Sequence, residues 1–424
     1  MKRNFLQRNR LAFTSSRRRC ATNFFVQADD DGDLLGSPVH KLSESSWRKS
    51  CREHQNRVLE LLAPGLTPLD HPLNTGLQRQ KRQEERRAKR RQETIASEDA
   101  AVITALDPKH PVYNFLIEYY GLKGTKGVRR LAKWPHGSQK GILLEGATDQ
   151  DFFTNLHTKG ARLCDDYDQT RGVEYSLWKH VYGTEATKFS KHELQQTNGG
   201  PLASFLWYRS LLERTLDATP VLHCYGLHEW AMQYQPAIPN TESSLPPSAK
   251  YQSHLKLRVD RQTLNQTVEE NTLHCTHVDA WKFFAKEALP LNQFHAQQIA
   301  NQNSLSTSLL PSGSERPPWL LQSEQPACVH TTMDLLKLAL KLGPFCESDL
   351  FCNVLQVTIA ARSLDVAASP YDAHTQYGVA PIRIETHAGR NAYKQRQLEL
   401  MKQAQPIRRA LLENYNQFLA AILE

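Results

Sequence analysis

The chain has 424 residues, 40% hydrophobic and 23% charged, with 52 basic against 44 acidic side chains and a net charge of +8. That balance excludes wholesale disorder and the collagen-like and low-complexity classes, and no run of residues reaches the ~18 consecutive apolar positions of a membrane span, so no membrane partner is expected. Eight cysteines at irregular spacing, with no Cys-x-x-Cys, exclude a disulfide scaffold and a zinc ribbon.

The charge is unevenly spread. Residues 1–28 hold seven basic side chains and no acid, and residues 79–93 (RQKRQEERRAKRRQE) hold eight basic and three acidic. The remaining chain is therefore slightly acidic, which argues against a general attraction to nucleic acid, since phosphate binding needs a basic stripe on the folded surface. The first 36 residues read as an organelle transit peptide or a basic leader. They are rich in Arg and Ser, lack acids until Asp29, and have no apolar h-region. A mitochondrial or plastid destination is expected.

Residues 37–106 are expected to hold one helix and a charged insertion. SWRKSCREHQNRVLELL (46–62) places Trp47, Cys51, His54, Val58, Leu61 and Leu62 at three- and four-residue spacings, an amphipathic helix with Ser46 as N-cap. The basic run at 79–93 reads as a solvated helix. Residues 107–424 then form the body. HPVYNFLIEYY (110–120) predicts a buried helix, KGILLEGA (140–147) a short strand, and 149–182 further helical pieces. Helices are expected over 201–216, 226–234, 277–289, 331–342, 348–368 and 389–423, the last interrupted by Pro406. HLKLRV (254–259) and PIRIET (381–386) read as strands, and 184–200, 236–249 and 301–326 as loops. The fold class is mainly α: a single large helical domain with a few short β-strands. There is no βαβ alternation, G-x-G-x-x-G, Walker A motif or G-x-S-x-G elbow.

Three segments share one pattern of residues. They are Cys224-Tyr-Gly-Leu-His228-Glu229-Trp230, Cys275-Thr-His277-Val-Asp279-Ala-Trp281 and Cys328-Val-His330-Thr-Thr-Met-Asp334. In each, a Cys is followed by a His and then a carboxylate at the opening of an apolar helix. Imidazole and carboxylate suit zinc or a transition metal, so His228, His277 and His330 are candidate ligands if the three openings converge within about 8 Å. The plainer explanation is local. Thr276-x-x-Asp279 and Thr331-x-x-Asp334 have the form of capping boxes, and the cysteines suit a core. In SPYD (369–372), Tyr371 and Asp372 face the same choice between a cleft and an Asx turn.

HPVYNFLIEYY, KGILLEGA, CYGLHEWAMQY, CTHVDAWKFF, QPACVHTTMDLLKLALKL, SPYD and PIRIETHAGR, in that order, resemble a family of bacterial, largely actinobacterial proteins labelled 3-methyladenine DNA glycosylase. The resemblance runs from near residue 46 almost to the C-terminus. The basic run and the long loops look like insertions. It implies a DNA-repair enzyme that hydrolyses the N-glycosidic bond of alkylated purines without a cofactor, meeting DNA through a local patch. A cationic flipped base would stack on Tyr225, Trp230, Trp281 or Tyr371, and a carboxylate from among Glu229, Asp279, Asp334 and Asp372 would orient water. The chain carries no helix-hairpin-helix signature, so no catalytic residue transfers by motif. Two alternatives stand beside this one. The first is a metal-dependent hydrolase or oxygenase built on the three histidines. The second is a non-catalytic helical binding protein, in which each of these groups has its own local partner.

Overall fold

The computed structural model describes residues 40–67, 104–164, 171–183, 200–236, 254–271, 273–294 and 323–423. The leader, the basic run at 79–93 and most of the three long polar loops lie outside these residues. The architecture is mainly helical with one small sheet.

The first helix, α1 (Glu44–Leu62), buries Trp47, Cys51, His54, Val58 and Leu62. It starts earlier than its pattern suggests. Ser43 occupies the N-cap position, and Ser46 lies inside the helix. The Trp47 indole donates to the Glu145 carbonyl at 2.9 Å, tying α1 to the sheet. That sheet comprises β1 (Lys41–Leu42), β2 (Ile142–Glu145), β3 (Ala161–Cys164) and β4 (Gly172–Tyr175), in the order β1-β2-β4-β3. β1 runs parallel to β2, and the other pairs are antiparallel, with Leu143 opposite Glu174 and Leu163 opposite Val173. Two of these strands fall where helical pieces are expected. They are four residues each, too short for a period-2 pattern to stand out, and pairing of β4 with β2 and of β3 with β4 decides their state.

Short helices follow the sheet's connections: α2 (Asn114–Glu118), α3 (Gly124–Ala132), α4 (Asp151–Thr154) and α5 (Leu177–Tyr182). The 110–120 segment is helical only over α2, because its first residues turn around His110. Then come α6 (Ala203–Asp217), α7 (Leu227–Ala231), α8 (Arg261–Glu270), α9 (Val278–Trp281), α10 (Val329–Met333) and α11 (Leu335–Leu342). The expected helix over 277–289 is confined to α9. Beyond it the chain bends so that Ala285 N–H bonds the Ala231 carbonyl of α7 at 3.0 Å. The two expected strands at 254–259 and 381–386 are absent. Leu257 makes one isolated bridge to Tyr371, and Ile384 N–H closes a tight turn onto the Ile382 carbonyl. Neither segment has a neighbouring strand to pair with, so alternation alone does not make a strand.

Two long helices organise the rest: α12 (Ser348–Ala368) and α14 (His387–Leu423), separated by the short α13 (His374–Tyr377). α12 packs against α1, α10, α11 and α14. Its length and composition would suit a membrane span, but 72% of its apolar window is buried inside the protein. It is the central core helix, apolar nearly all round. α14 sends polar side chains inward to hold neighbouring backbone. Tyr415 donates to the Leu338 carbonyl at 2.9 Å, and Gln397 to Ala327 at 2.7 Å. Buried apolar side chains from Trp47 to Ile422 form one contiguous core.

Candidate functional site

Three helix openings meet beside α12. Before α7 the chain reverses through Tyr225 and Gly226, with φ of 47° and 72°. Glycine suits its position, since a Cβ there would sit 2.9 Å from the Ala368 Cβ. Tyr225 holds a left-handed conformation that costs a side-chain-bearing residue roughly 1–2 kcal/mol. The reversal points His228 inward, with its Nδ1 3.9 Å from the Cys224 sulfur. His330, in α10, packs edge-on against His228 with ring centroids 4.3 Å apart. His277, just ahead of α9, stacks on the other side of His330 at 5.0 Å with planes only 16° apart. The three imidazoles are therefore in contact, although they are far apart in sequence.

Acids surround this stack. His228 Nε2 lies 2.6 Å from Asp365 Oδ1, and both groups are fully buried. Neither atom has a further hydrogen-bond partner among the described residues. The second Asp365 oxygen accepts from Arg362, one turn earlier on α12. Arg362 also donates to Glu229 Oε1 at 2.8 Å and to the Pro111 carbonyl at 3.2 Å. On the far side, His277 Nδ1 meets Glu324 Oε1 at 3.1 Å, and Thr331 donates its hydroxyl to the same carboxylate.

These neighbours set the charges. Burial opposes the charged imidazole of His228, but the Asp365 carboxylate outweighs it and holds His228 well above its usual value. Glu324 does the same for His277, pushed up to about 9 against its burial. His330 goes the other way. Burial, reinforced by the two charged histidines, drives it well below the ordinary imidazole range. It is the neutral member of the trio, with a free lone pair. His228, His330 and Asp365 each offer a ligand atom, and these atoms lie within 4.8 Å of one another. A pocket lined by Asn114, Phe115, Tyr119, Glu229 and Arg362 reaches His330 of this group but neither His228 nor Asp365.

The expected acids separate. Glu229 lines the pocket. Asp334 faces a second pocket on the other side of α10. Asp279 is exposed in the first turn of α9. Asp372 accepts from the Thr375 and His374 N–H groups at 3.1 and 3.2 Å, the Asx-type turn that starts α13. The capping boxes do not form. His277, not Thr276, precedes α9, and Thr331 lies inside α10 with its hydroxyl on Glu324.

The aromatic residues do not build a stacking slot at this pocket. Trp230 is fully buried and donates to the Ala368 carbonyl at 2.8 Å, and Trp281 donates to Cys275 at 3.1 Å. Tyr371 is buried and takes a hydrogen bond from Gln233. Tyr225 is half-buried in its reversal. The phenyl and phenol faces at the pocket belong instead to Phe115 and Tyr119.

Sequence reasoning missed Asp365, Arg362 and Glu324. A signal for the first two was available: a cation and an acid three residues apart, inside an otherwise apolar helix, must be satisfied by one another or by a site. Glu324 carries no such mark, because it follows a long polar segment. No protein-family model, curated protein or solved structure matches this chain.

Proposed function

We propose that the chain is a metal-dependent hydrolase, with His228, His330 and Asp365 holding the ion and Glu229 acting as general base. One observation carries this reading. His228 Nε2 and Asp365 Oδ1 form a fully buried ion pair at 2.6 Å, and the neutral His330 completes a set of three donors within 4.8 Å. Two imidazoles and a carboxylate, one of them at a pocket wall, are the donor types of catalytic metal sites.

The protein's own groups have defined parts to play. His228 would release its proton when its lone pair is engaged, so binding should strengthen as pH rises. Arg362 holds Glu229 at the pocket wall and balances the charge of Asp365. A bound ion would supply a water of lowered pKa. Glu229 would take the proton from that water, and Tyr119 and Asn114 would face the substrate. The substrate class implied by the family resemblance is an alkylated purine in DNA, and its N-glycosidic bond is the first to assay. The buried Trp230 and Trp281 give that substrate no stacking slot, so the pocket and its donors support the hydrolase class more strongly than the identity of the bond.

The test is metal analysis of the purified protein, with base release from alkylated DNA measured on the same sample. Near-stoichiometric zinc that disappears in His330→Ala and Asp365→Asn is expected. Protein without bound metal that nevertheless releases bases would overturn the metal centre in favour of a metal-independent glycosylase. Iron with oxygen-dependent turnover would move the site to the oxygenases, which share the two-His, one-carboxylate donor set.

A further inference from the structure

The histidine stack has sulfur beside it. Cys224 stands at the entry to the Tyr225–Gly226 reversal, and the Leu227 N–H closes that turn onto the Cys224 carbonyl at 2.9 Å. Cys275 lies just ahead of α9. The two side chains share a hydrogen bond, although they come from different segments. Each sulfur also touches a histidine of the stack. Cys224 Sγ is 3.9 Å from His228 Nδ1, and the Cys275 thiol donates to the His277 carbonyl at 3.7 Å. The described cysteines are all free thiols.

The two members of the pair differ in access and in fixity. Cys224 is half-buried, whereas Cys275 is buried, so a small oxidant meets Cys224 first. The Cys224 sulfur has two donors, the Cys275 thiol and His228 Nδ1, and both favour the thiolate, which is the reactive form. Cys275 is held in place. Its N–H donates to Asn292 Oδ1 at 3.0 Å, and its carbonyl accepts from Asn292 Nδ2 and the Trp281 indole, each at 3.1 Å. A fixed thiol beside an accessible thiolate is the arrangement of a resolving cysteine. Cys164 is also half-buried, but its sulfur faces the Glu174 carboxylate at 3.8 Å rather than a second thiol.

We infer that Cys224 and Cys275 are a peroxide-sensitive pair that closes to a disulfide. The Cys224 thiolate attacks one oxygen of hydrogen peroxide, the O–O bond breaks, and the other oxygen leaves as hydroxide, which takes the proton lost by Cys224 to become water. Cys224 is then a sulfenic acid. The Cys275 sulfur attacks the Cys224 sulfur, the S–S bond forms, and the hydroxyl leaves with the Cys275 proton as a second water. Both sulfurs are oxidised and both peroxide oxygens reduced, so no further reactant is needed. The new bond ties the reversal that aims His228 to the segment that carries His277. Oxidation therefore acts on two of the three imidazoles in the stack. The chemistry needs no metal ion and does not rest on the hydrolase reading.

Peptide mapping of the whole protein tests this. Purified protein is treated with hydrogen peroxide, its remaining thiols are blocked with N-ethylmaleimide, and the digest is analysed without reductant. The expected product is a pair of peptides joined through Cys224 and Cys275, lighter by two hydrogens than the separate peptides and separated again by dithiothreitol. Cys224→Ser should give no link. Cys275→Ala keeps a small apolar group in the core and removes the resolving thiol, so dimedone labelling of a Cys224 sulfenic acid should rise by about tenfold over the parent. Cys328→Ala should leave the link intact. The proposal is overturned if peroxide carries Cys224 of the parent to the sulfinic acid without a link, if Cys224 joins Cys328 instead, or if Cys224 stays reduced while Cys164 is oxidised. These readings are covalent masses and hold whatever metal the protein carries, so the thiol pair and the metal centre can fail separately.

Discussion

Arg362 Nη1 donates to Glu229 Oε1 at 2.8 Å while the same nitrogen also contacts Asp365, so one buried guanidinium joins the acid of the pocket to a candidate ligand. Substituting the two ends of this pair should have different consequences. Glu229→Gln keeps an acceptor for Arg362 and removes the base. Activity should fall by roughly 10²–10⁴-fold, with about 1–2 kcal/mol of stability lost. Arg362→Met instead strands two buried carboxylates, and breaking such a pair costs about 3–5 kcal/mol. Urea unfolding beside a turnover assay separates the two. A Glu229→Gln protein as unstable as Arg362→Met would make Glu229 structural.

His330 should behave as a ligand without a structural job. Its ring makes no hydrogen bond among the described residues and opens to the pocket, so His330→Ala should cost only its packing, about 1 kcal/mol. The parent protein should gain about 2.7 kcal/mol when zinc is present at a hundred times its dissociation constant, and the variant almost nothing. Thermal melts with and without added zinc show this. An equal zinc shift in both proteins would place the ion elsewhere.

Trp230 and Asp372 test the division between core and site. Trp230→Ala removes a fully buried indole and should cost about 3–5 kcal/mol. Asp372→Ala removes only the local acceptor that starts α13, and should cost about 1 kcal/mol with activity intact. If Asp372→Ala abolishes turnover in a folded protein, the catalytic pocket has been placed on the wrong side of Arg362.

The same residues show how far the sequence could be read. Cys-His-acid patterns at 224–229, 275–279 and 328–334 marked where three helix openings meet, because imidazoles beside apolar runs must be either satisfied or functional. The long apolar run gave α12 for a similar reason: burial on most sides leaves few alternatives to a core helix. What could not be read was the partner of each group. Asp365 reaches His228 across 137 positions, and Glu324 reaches His277 across 47, so no local pattern records either pair. The strands failed in both directions. β4 exists because β2 lies beside it and β3 because β4 does, and 254–259 and 381–386 are not strands because nothing does.

Acid sensitivity should come from four buried histidines outside the histidine stack, His54, His136, His157 and His180, all lowered by burial. His54 and His180 are both buried; the His54 ring is satisfied as a neutral imidazole, and His180 through its Nε2. His54 contacts the Leu131 carbonyl and the Ser348 hydroxyl, and His180 contacts the Lys341 carbonyl. Burial lowers His54 to about 4 and His180 to about 3, against about 6.5 in the unfolded chain. Below pH 6.5 the unfolded chain therefore takes up protons that the folded protein refuses. Stability is fully present above 6.5 and falls as pH drops toward 4, by up to about 1.4 kcal/mol per pH unit for each histidine. A protein held by roughly 5–15 kcal/mol cannot sustain that for several groups without a visible loss. Urea midpoints at pH 7 and pH 5 should differ clearly in the parent. In His180→Phe, which keeps the ring packed against Phe345 but cannot be protonated, the difference should shrink by about a quarter of the four-histidine contribution. A pH dependence unchanged by His180→Phe would show that this imidazole is not what refuses the proton.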